Sequence, residues 1–192
     1  MITTIYLVRH ANKLRLWNAE DKLRPLTLLG ETQARFLADL EDLQGINFIF
    51  SSPYFRAIQT VKYLSEKIGI PITTIEDLKE RQYGNIKKIP ENYEADQWID
   101  FNYTQHGGES LKMVQERMIN TLNKVLKDNL GKTILICSHA TAIATLFNYY
   151  NHSFNFTNFN QITSPDMWRL EFDNLVLNRI DHINLFEEEE KD

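Results

Sequence analysis

The sequence predicts an α/β fold, a three-layer sandwich in which a mostly parallel central sheet carries helices on both faces. Three observations carry that prediction. Short apolar runs rich in β-branched residues alternate with longer amphipathic stretches, the order expected of strands joined by crossover helices. Several of those runs are apolar without alternation, as strands buried on both faces are. They also stop abruptly at polar groups, Arg9-His10, Ser51-Ser52 and Ser138-His139. Such groups then sit at the carboxyl ends of strands, where open α/β sheets bind ligands.

In order, the first strand spans about Thr4 to Arg9, and a polar loop runs from Asn12 to Pro25. Thr27 has the hydroxyl an N-cap needs, and the helix behind it puts Leu37, Leu40 and Leu43 on one face. Ile46 to Phe50 is the second buried strand. Ser52 suits the next N-cap and Pro53 the first helical position. Arg56 then falls in the first turn and leans back toward the strand ends. That helix runs to about Ile68, where Gly69 stops it. Ile72 to Ile75 is a short strand, and Leu78 to Gly84 crosses the strand ends. Asn85 to His106 is polar and aromatic with little periodicity, and reads as a lid or insertion over about 85–108. Its Tyr93, Trp98, Phe101 and Tyr103 form either a lid lining or a small satellite core. Glu109 to Asp128 is a long amphipathic helix, Thr133 to Cys137 a buried strand, and Ala140 to Tyr150 a helix. Trp168 to Phe172 and Leu175 to Ile183 alternate about Asp173-Asn174 as an antiparallel hairpin. The tail from Glu187 to Asp192 is a charge run that reads as a solvated end.

The 192 residues read as one domain, 1–192, with 43% hydrophobic and 24% charged residues, ordinary for a soluble protein. A formal net charge of -5 argues against general nucleic-acid binding, so an anionic substrate needs a local cationic pocket. The single cysteine, Cys137, cannot form an intramolecular disulfide and reads as a small buried hydrophobe. No apolar run approaches membrane-spanning length, and the N-terminus opens on a strand rather than a basic leader. The expectation is a cytoplasmic protein with no membrane or nucleic-acid partner, whose oligomeric state is not legible. Two glycosylation patterns, at Asn151 and Asn155, would then go unused.

Four segments deliver chemistry to the strand ends: Arg9 with His10, Arg56, Glu80 with Arg81, and His139. Two histidines, several arginines and one carboxylate match phosphoryl transfer through a histidine. A neutral imidazole can attack phosphorus. Arginines and a second imidazole can neutralise the equatorial oxygens. A carboxylic acid can protonate the leaving oxygen and later deprotonate water. Taken singly each residue has a plainer reading, as a structural histidine or a surface ion pair; the ordered set carries the argument.

That ordered set resembles the histidine phosphatase superfamily, the phosphoglycerate mutase-like branch 1. The resemblance rests on Leu7-Val8-Arg9-His10-Ala11, Arg24-Pro25-Leu26-Thr27 with Gly30 and Gln33-Ala34, and Ser51-Ser52-Pro53-Tyr54-Phe55-Arg56-Ala57-Ile58-Gln59-Thr60. It continues through Glu80-Arg81-Gln82-Tyr83-Gly84, Gly107-Gly108-Glu109-Ser110 and Cys137-Ser138-His139-Ala140, so it covers nearly the whole chain. It implies a phosphoglycerate mutase-like fold and a metal-free, cofactor-free reaction on a small phosphorylated substrate. By it, His10 is the phosphorylated residue, Arg9, Arg56 and His139 complete the phosphate pocket, and Glu80 is the proton donor. Arg81 and Tyr83 correspond to residues that hold substrate in mutases, and Asn12 and Ala140 are further binding positions. There are departures. Ala11 and Ala140 stand where glycine is common, keeping the amide but restricting φ. The usual Glu-Thr-x-x-Asn is absent, with Asn12 or Asn18 as its replacement.

Three activities fit: a phosphatase for small phosphomonoesters, a mutase of phosphoglycerate type, or a non-catalytic module on the same fold. Asn85 to His106 contains no arginine, and its Lys87 and Lys88 face Glu91, Glu94, Asp96 and Asp100 in number. A mutase must hold a carboxylate there, so the composition favours the phosphatase. No expected catalytic position is lost, which weighs against the non-catalytic reading.

Overall fold

A computed structural model of the chain describes residues 1–14, 20–84 and 89–186. Asn18, Lys87, Lys88 and the tail from Glu187 to Asp192 lie outside the described residues. Six strands form one sheet: β1 (Ile2–Arg9), β2 (Phe48–Ser51), β3 (Ile72–Thr74), β4 (Thr133–Ser138), β5 (Asp166–Asp173) and β6 (Val176–Ile183). Their order is β3-β2-β4-β1-β5-β6. The β3–β2, β2–β4 and β4–β1 pairs are parallel, while β1–β5 and β5–β6 are antiparallel, so the sheet is mixed. The hairpin turns at Asn174-Leu175, one residue later than predicted, with Asn174 at φ 55°.

The period of two explains the three layers. Ile5 and Leu7 of β1 join Ile134 and Ile136 of β4 in one core, against α4 (Leu111–Asp128) and α5 (Ala140–Tyr150). Tyr6 and Val8 join Leu135 and Cys137 on the other face, against α1 (Leu28–Asp39) and α2 (Phe55–Ile68). Both faces of each central strand are therefore dry, as their unbroken apolar runs require.

Most helix boundaries follow local chemistry. Thr27 Oγ1 accepts from Gly30 N–H at 3.0 Å, and Ser110 Oγ from Met113 N–H at 3.2 Å. Gly69 closes α2 at φ 72°. Two expectations change. α1 stops at Asp39, so Leu43 reaches the core through a separate 3-10 turn at Glu41–Leu43, and Leu40 caps the helix in an extended conformation. Ser52 does not cap α2. The helix begins two residues after Pro53, with Tyr54 as its N-cap, and Ser52 Oγ accepts from Tyr54 N–H in a local turn instead.

Two short helices went unpredicted, α3 (Tyr93–Ile99) and α6 (Phe156–Gln161). The aromatic residues around α3 make a satellite core. Tyr93 is fully buried against Tyr83 and Tyr103, and Trp98 packs on Phe101, Phe154 and Phe159. Gly84 lets the chain pass close beneath this segment: at φ 80°, an added Cβ would lie 2.5 Å from Gly108 N.

Candidate active site

Strand register sets the centre of the site. Arg9 of β1 pairs with Ser138 of β4, so the next residues, His10 and His139, leave adjacent parallel strands side by side. The His10 N–H donates to the Ser138 carbonyl at 3.1 Å, and the two rings meet edge-on with centroids 5.1 Å apart. Both rings are buried. His10 Nδ1 lies 2.7 Å from the Ala11 carbonyl oxygen. A carbonyl only accepts, so Nδ1 carries the proton and Nε2 keeps its lone pair. Accordingly, Nε2 accepts from Arg56 Nε at 3.1 Å. Burial first, and the Arg56 charge second, push the His10 pKa well below the ordinary histidine range.

His139 is held from the other side. Its Nε2 lies 2.7 Å from Ser52 Oγ, and its Nδ1 is buried without a hydrogen-bond partner among the described residues. Burial, then the neighbouring His10 ring and the Arg56 guanidinium, also drive its pKa well down. A buried imidazole with one nitrogen unmatched among the described residues, near the Arg56 guanidinium, is prepared for an incoming anion.

Arg56, the second residue of α2, is fully buried. Besides its bond to His10, Nη1 donates to the Asp21 carbonyl at 2.6 Å and Nη2 to Asp21 Oδ2 at 2.8 Å. Thr60, one turn further along α2, donates to the Arg56 carbonyl at 2.7 Å and accepts from Ala11 N–H at 2.9 Å. That hydroxyl ties the loop after β1 to α2 and fixes Arg56 against His10. Arg9 spends Nη1 on the carbonyls of Ile162 and Thr163 at 2.6 and 2.8 Å, and its Nε is buried without a partner among the described residues. Glu80 reaches across the start of α5: Oε2 accepts from Thr141 N–H at 3.3 Å and Oε1 from Arg81 N–H at 2.8 Å. Arg9, Glu80, Ala140 and Thr141 line one cavity of about 650 Å³.

This arrangement can present a neutral nucleophilic nitrogen, several cationic donors and a carboxyl group to one bound anion. A family model described as the histidine phosphatase superfamily (branch 1) matches residues 5–184. The chain belongs to that superfamily. An uncharacterized phosphatase of Bacillus subtilis, PhoE, is 31% identical over 150 residues, 76% of each chain. A probable phosphoglycerate mutase of Yersinia enterocolitica, GpmB, is 31% identical over 158 residues, 75% of this chain and 73% of that one. Among solved structures, mycobacterial glucosyl-3-phosphoglycerate phosphatase superposes with a TM-score of 0.75 at 18% identity, covering 95% of this chain and 97% of the other. Phosphoserine phosphatase of Entamoeba histolytica, in complex with 3-phosphoglyceric acid, gives 0.73 at 21%, covering 95% and 98%. These last two share the fold.

Within this member of the superfamily, the outer predicted residues behave differently from the centre. The Ala11 amide is engaged by Thr60, and the Asn12 amide by Gln33 Oε1 at 3.1 Å. Asn12 Oδ1 accepts from Thr27 Oγ1 at 2.9 Å, so this side chain braces the loop against α1 and does not line the cavity. Arg81 is buried and bonded to Gln97 and Glu94, and the Tyr83 hydroxyl donates to Glu94. Both face a neighbouring cavity of about 350 Å³, and Tyr83 also lines the larger one.

Sequence reasoning missed Lys13, Asp21 and Arg24 as members of the site. Asp21 Oδ1 lies 3.1 Å from Lys13 Nζ and 3.3 Å from Arg24 Nη1, and its Oδ2 meets Arg56. Burial alone would raise the Asp21 pKa; Arg56 and Lys13 outweigh it and hold the carboxyl below its ordinary value. The available signal was a charged loop, Asn12 to Pro25, between a site strand and the first helix.

The two buried neutral imidazoles predict a pH effect on stability. In the unfolded chain each protonates near 6.5, whereas the folded chain resists protonation. Below that pH the unfolded state binds more protons, so stability falls as pH drops through about 6.5, by up to about 1.4 kcal/mol per pH unit for each ring. Urea midpoints between pH 7.5 and 5.5 read this slope; a flat profile would mean that the rings are not held neutral.

Proposed function

We propose that this protein is a metal-independent phosphomonoesterase that hydrolyses a small phosphorylated metabolite through a phosphohistidine at His10, with no cofactor. The observation that carries the reading is the bonding of His10, with Nδ1 protonated against Ala11 and Nε2 bearing its lone pair beside Arg56. In the first step Nε2 bonds to phosphorus while the ester P–O bond breaks, and the leaving oxygen takes the proton of Glu80 in its acid form. Arg9, Arg56 and His139 hold the equatorial oxygens. In the second step water bonds to phosphorus and gives a proton to Glu80; the P–N bond breaks and phosphate leaves. His139 Nδ1 and Arg9 Nε, buried and without partners among the described residues, support the presence of an oxyanion among them in the working state.

Hydrolysis rather than phosphate transfer between positions of phosphoglycerate is supported by Arg81. A mutase uses that cation for the substrate carboxylate, and here its Nη1 and Nη2 are held by Gln97 and Glu94, with the buried Nε left without a partner among the described residues. The relatives include both a phosphatase and a probable mutase, and this bond supports the phosphatase reading.

Among the described residues no group of three or more His, Cys, Asp or Glu side chains is arranged to hold a metal. Hydrolysis of an aryl phosphate is therefore expected to continue at full rate in excess chelator. Stoichiometric zinc in the purified protein, with activity lost on chelation, would contradict the metal-free reaction.

Asp21 competes with an incoming phosphate for Arg56. Asp21→Asn is expected to tighten inorganic phosphate binding, about tenfold if the competition is worth about 1.4 kcal/mol. Isothermal titration reads this directly, and unchanged affinity would mean that Asp21 and the anion do not share that guanidinium.

A further inference from the structure

The cavity wall formed by Leu78 to Gly84 and α3 holds an ion pair that the reaction does not use. Arg81 is 3% exposed. Its Nη2 donates to Glu94 Oε1 at 2.9 Å, its Nη1 to Gln97 Oε1, and its guanidinium lies 4.3 Å from the centre of the Tyr83 ring. Tyr83 donates its hydroxyl to the same Glu94 oxygen. Gln97, fully buried, fixes the cluster by donating to the carbonyls of Tyr103 at 2.8 Å and Glu109 at 3.0 Å. Burial opposes the Arg81 charge, and the nearby Tyr83, Glu80 and Glu94 outweigh that opposition. The guanidinium is thus paired inside the protein through Nη1 and Nη2, with its buried Nε unpartnered among the described residues.

Glu94 is placed otherwise. Its side chain is 40% exposed and lines the 650 Å³ cavity with Tyr83 and Ile89. Both of its bonds fall on Oε1; Oε2 has none among the described residues. A group bound on this wall meets a carboxylate, a tyrosine and an aliphatic side chain, with the arginine screened behind them.

We propose that Glu94 sets leaving-group specificity: it admits phosphate esters of neutral or cationic alcohols and rejects esters whose alcohol carries a carboxylate. This rests on the phosphatase reading above. A carboxylate on this wall would stand beside the like charge of Glu94; of the cations that line the same cavity, Lys13 and Arg24 are paired with Asp21 and Arg9 belongs to the phosphate pocket. The carboxylate's natural counter-ion, Arg81, is already paired. An ammonium or hydroxyl can instead donate to Glu94 Oε2.

The test compares glycerol 3-phosphate with 3-phosphoglycerate, similar in size and differing in a hydroxymethyl group against a carboxylate, and adds phosphoethanolamine as the cationic ester. The wild-type kcat/KM is expected to favour glycerol 3-phosphate and phosphoethanolamine over 3-phosphoglycerate at least tenfold. Glu94→Gln, which keeps the bonds to Arg81 and Tyr83 possible but removes the charge, is expected to shrink that preference at least tenfold. A wild-type ratio near one, or a ratio unchanged in a folded Glu94→Gln protein, overturns the specificity proposal while leaving hydrolysis standing. The wild-type ratio decides alone if the variant does not fold. No hydrolysis of any of the three esters or of an aryl phosphate overturns the phosphatase reading itself.

Discussion

His10→Ala is expected to abolish turnover, on the order of 10⁶-fold by the precedent of a deleted covalent nucleophile. No other side chain is expected to replace it: His139, the second imidazole of the pair, holds Nε2 against Ser52, and its Nδ1 is the nitrogen assigned above to the oxyanion. The variant is expected to keep phosphate binding, because Arg9, Arg56 and His139 remain. Binding lost together with activity would mean that the loop after β1 had moved, and would remove the kinetic inference. His139→Ala is the contrast. It removes one donor to the equatorial oxygens, so a loss of about 2–4 kcal/mol in the barrier is expected, by analogy with a single oxyanion donor. Some labelling and turnover should survive.

Glu80→Gln is expected to split substrates by leaving group. Glutamine keeps acceptor and volume, so the contact with the Thr141 amide can persist, but its amide has no acidic proton to transfer. An alkyl alcohol is a poor leaving group without protonation, so alkyl phosphates should slow by about 10²–10⁴-fold. An acidic phenol departs unaided, so an aryl phosphate with such a leaving group should slow far less. Steady-state rates on a matched pair read the difference. Equal losses on both esters would remove Glu80 from the role of acid.

The strand ends were the legible part of this chain, because they are written locally. Ile5 to Val8 and Ile134 to Cys137 are apolar on both parities, and each run breaks at a polar pair, so Arg9-His10 and Ser138-His139 could be placed at one sheet edge. Arg56 followed from its position at the start of α2. Register was not legible: that His10 lies beside His139 depends on β4 pairing with β1, which no local pattern encodes. The short helices α3 and α6 span two turns or fewer and give too little periodicity to separate from loop. Their signals were small. The Asn155 and Asn158 capping box marks α6, and Tyr93 with Gln97, four residues apart, are the buried positions of α3.

Charge pairing was illegible for a different reason. Asp21 and Glu94 look like ordinary solvated acids in sequence, yet one meets Arg56 and the other Arg81. Arg81 shows the consequence. The motif Glu80-Arg81-Gln82-Tyr83-Gly84 marks it as a substrate ligand, while a residue 13 positions later takes its charge. A motif fixes where a side chain sits; its partners arrive from elsewhere in the chain.

The identity of the phosphorylated residue is the most direct measure of the proposed reaction. A phosphoramidate is labile in acid and stable in base, unlike a phosphoserine. Enzyme mixed with a ³²P-labelled ester and quenched rapidly in base is expected to carry label on the peptide containing Arg9-His10, and to lose it in acid. Label on His139, acid-stable label, or turnover in which no labelled peptide forms would contradict the account.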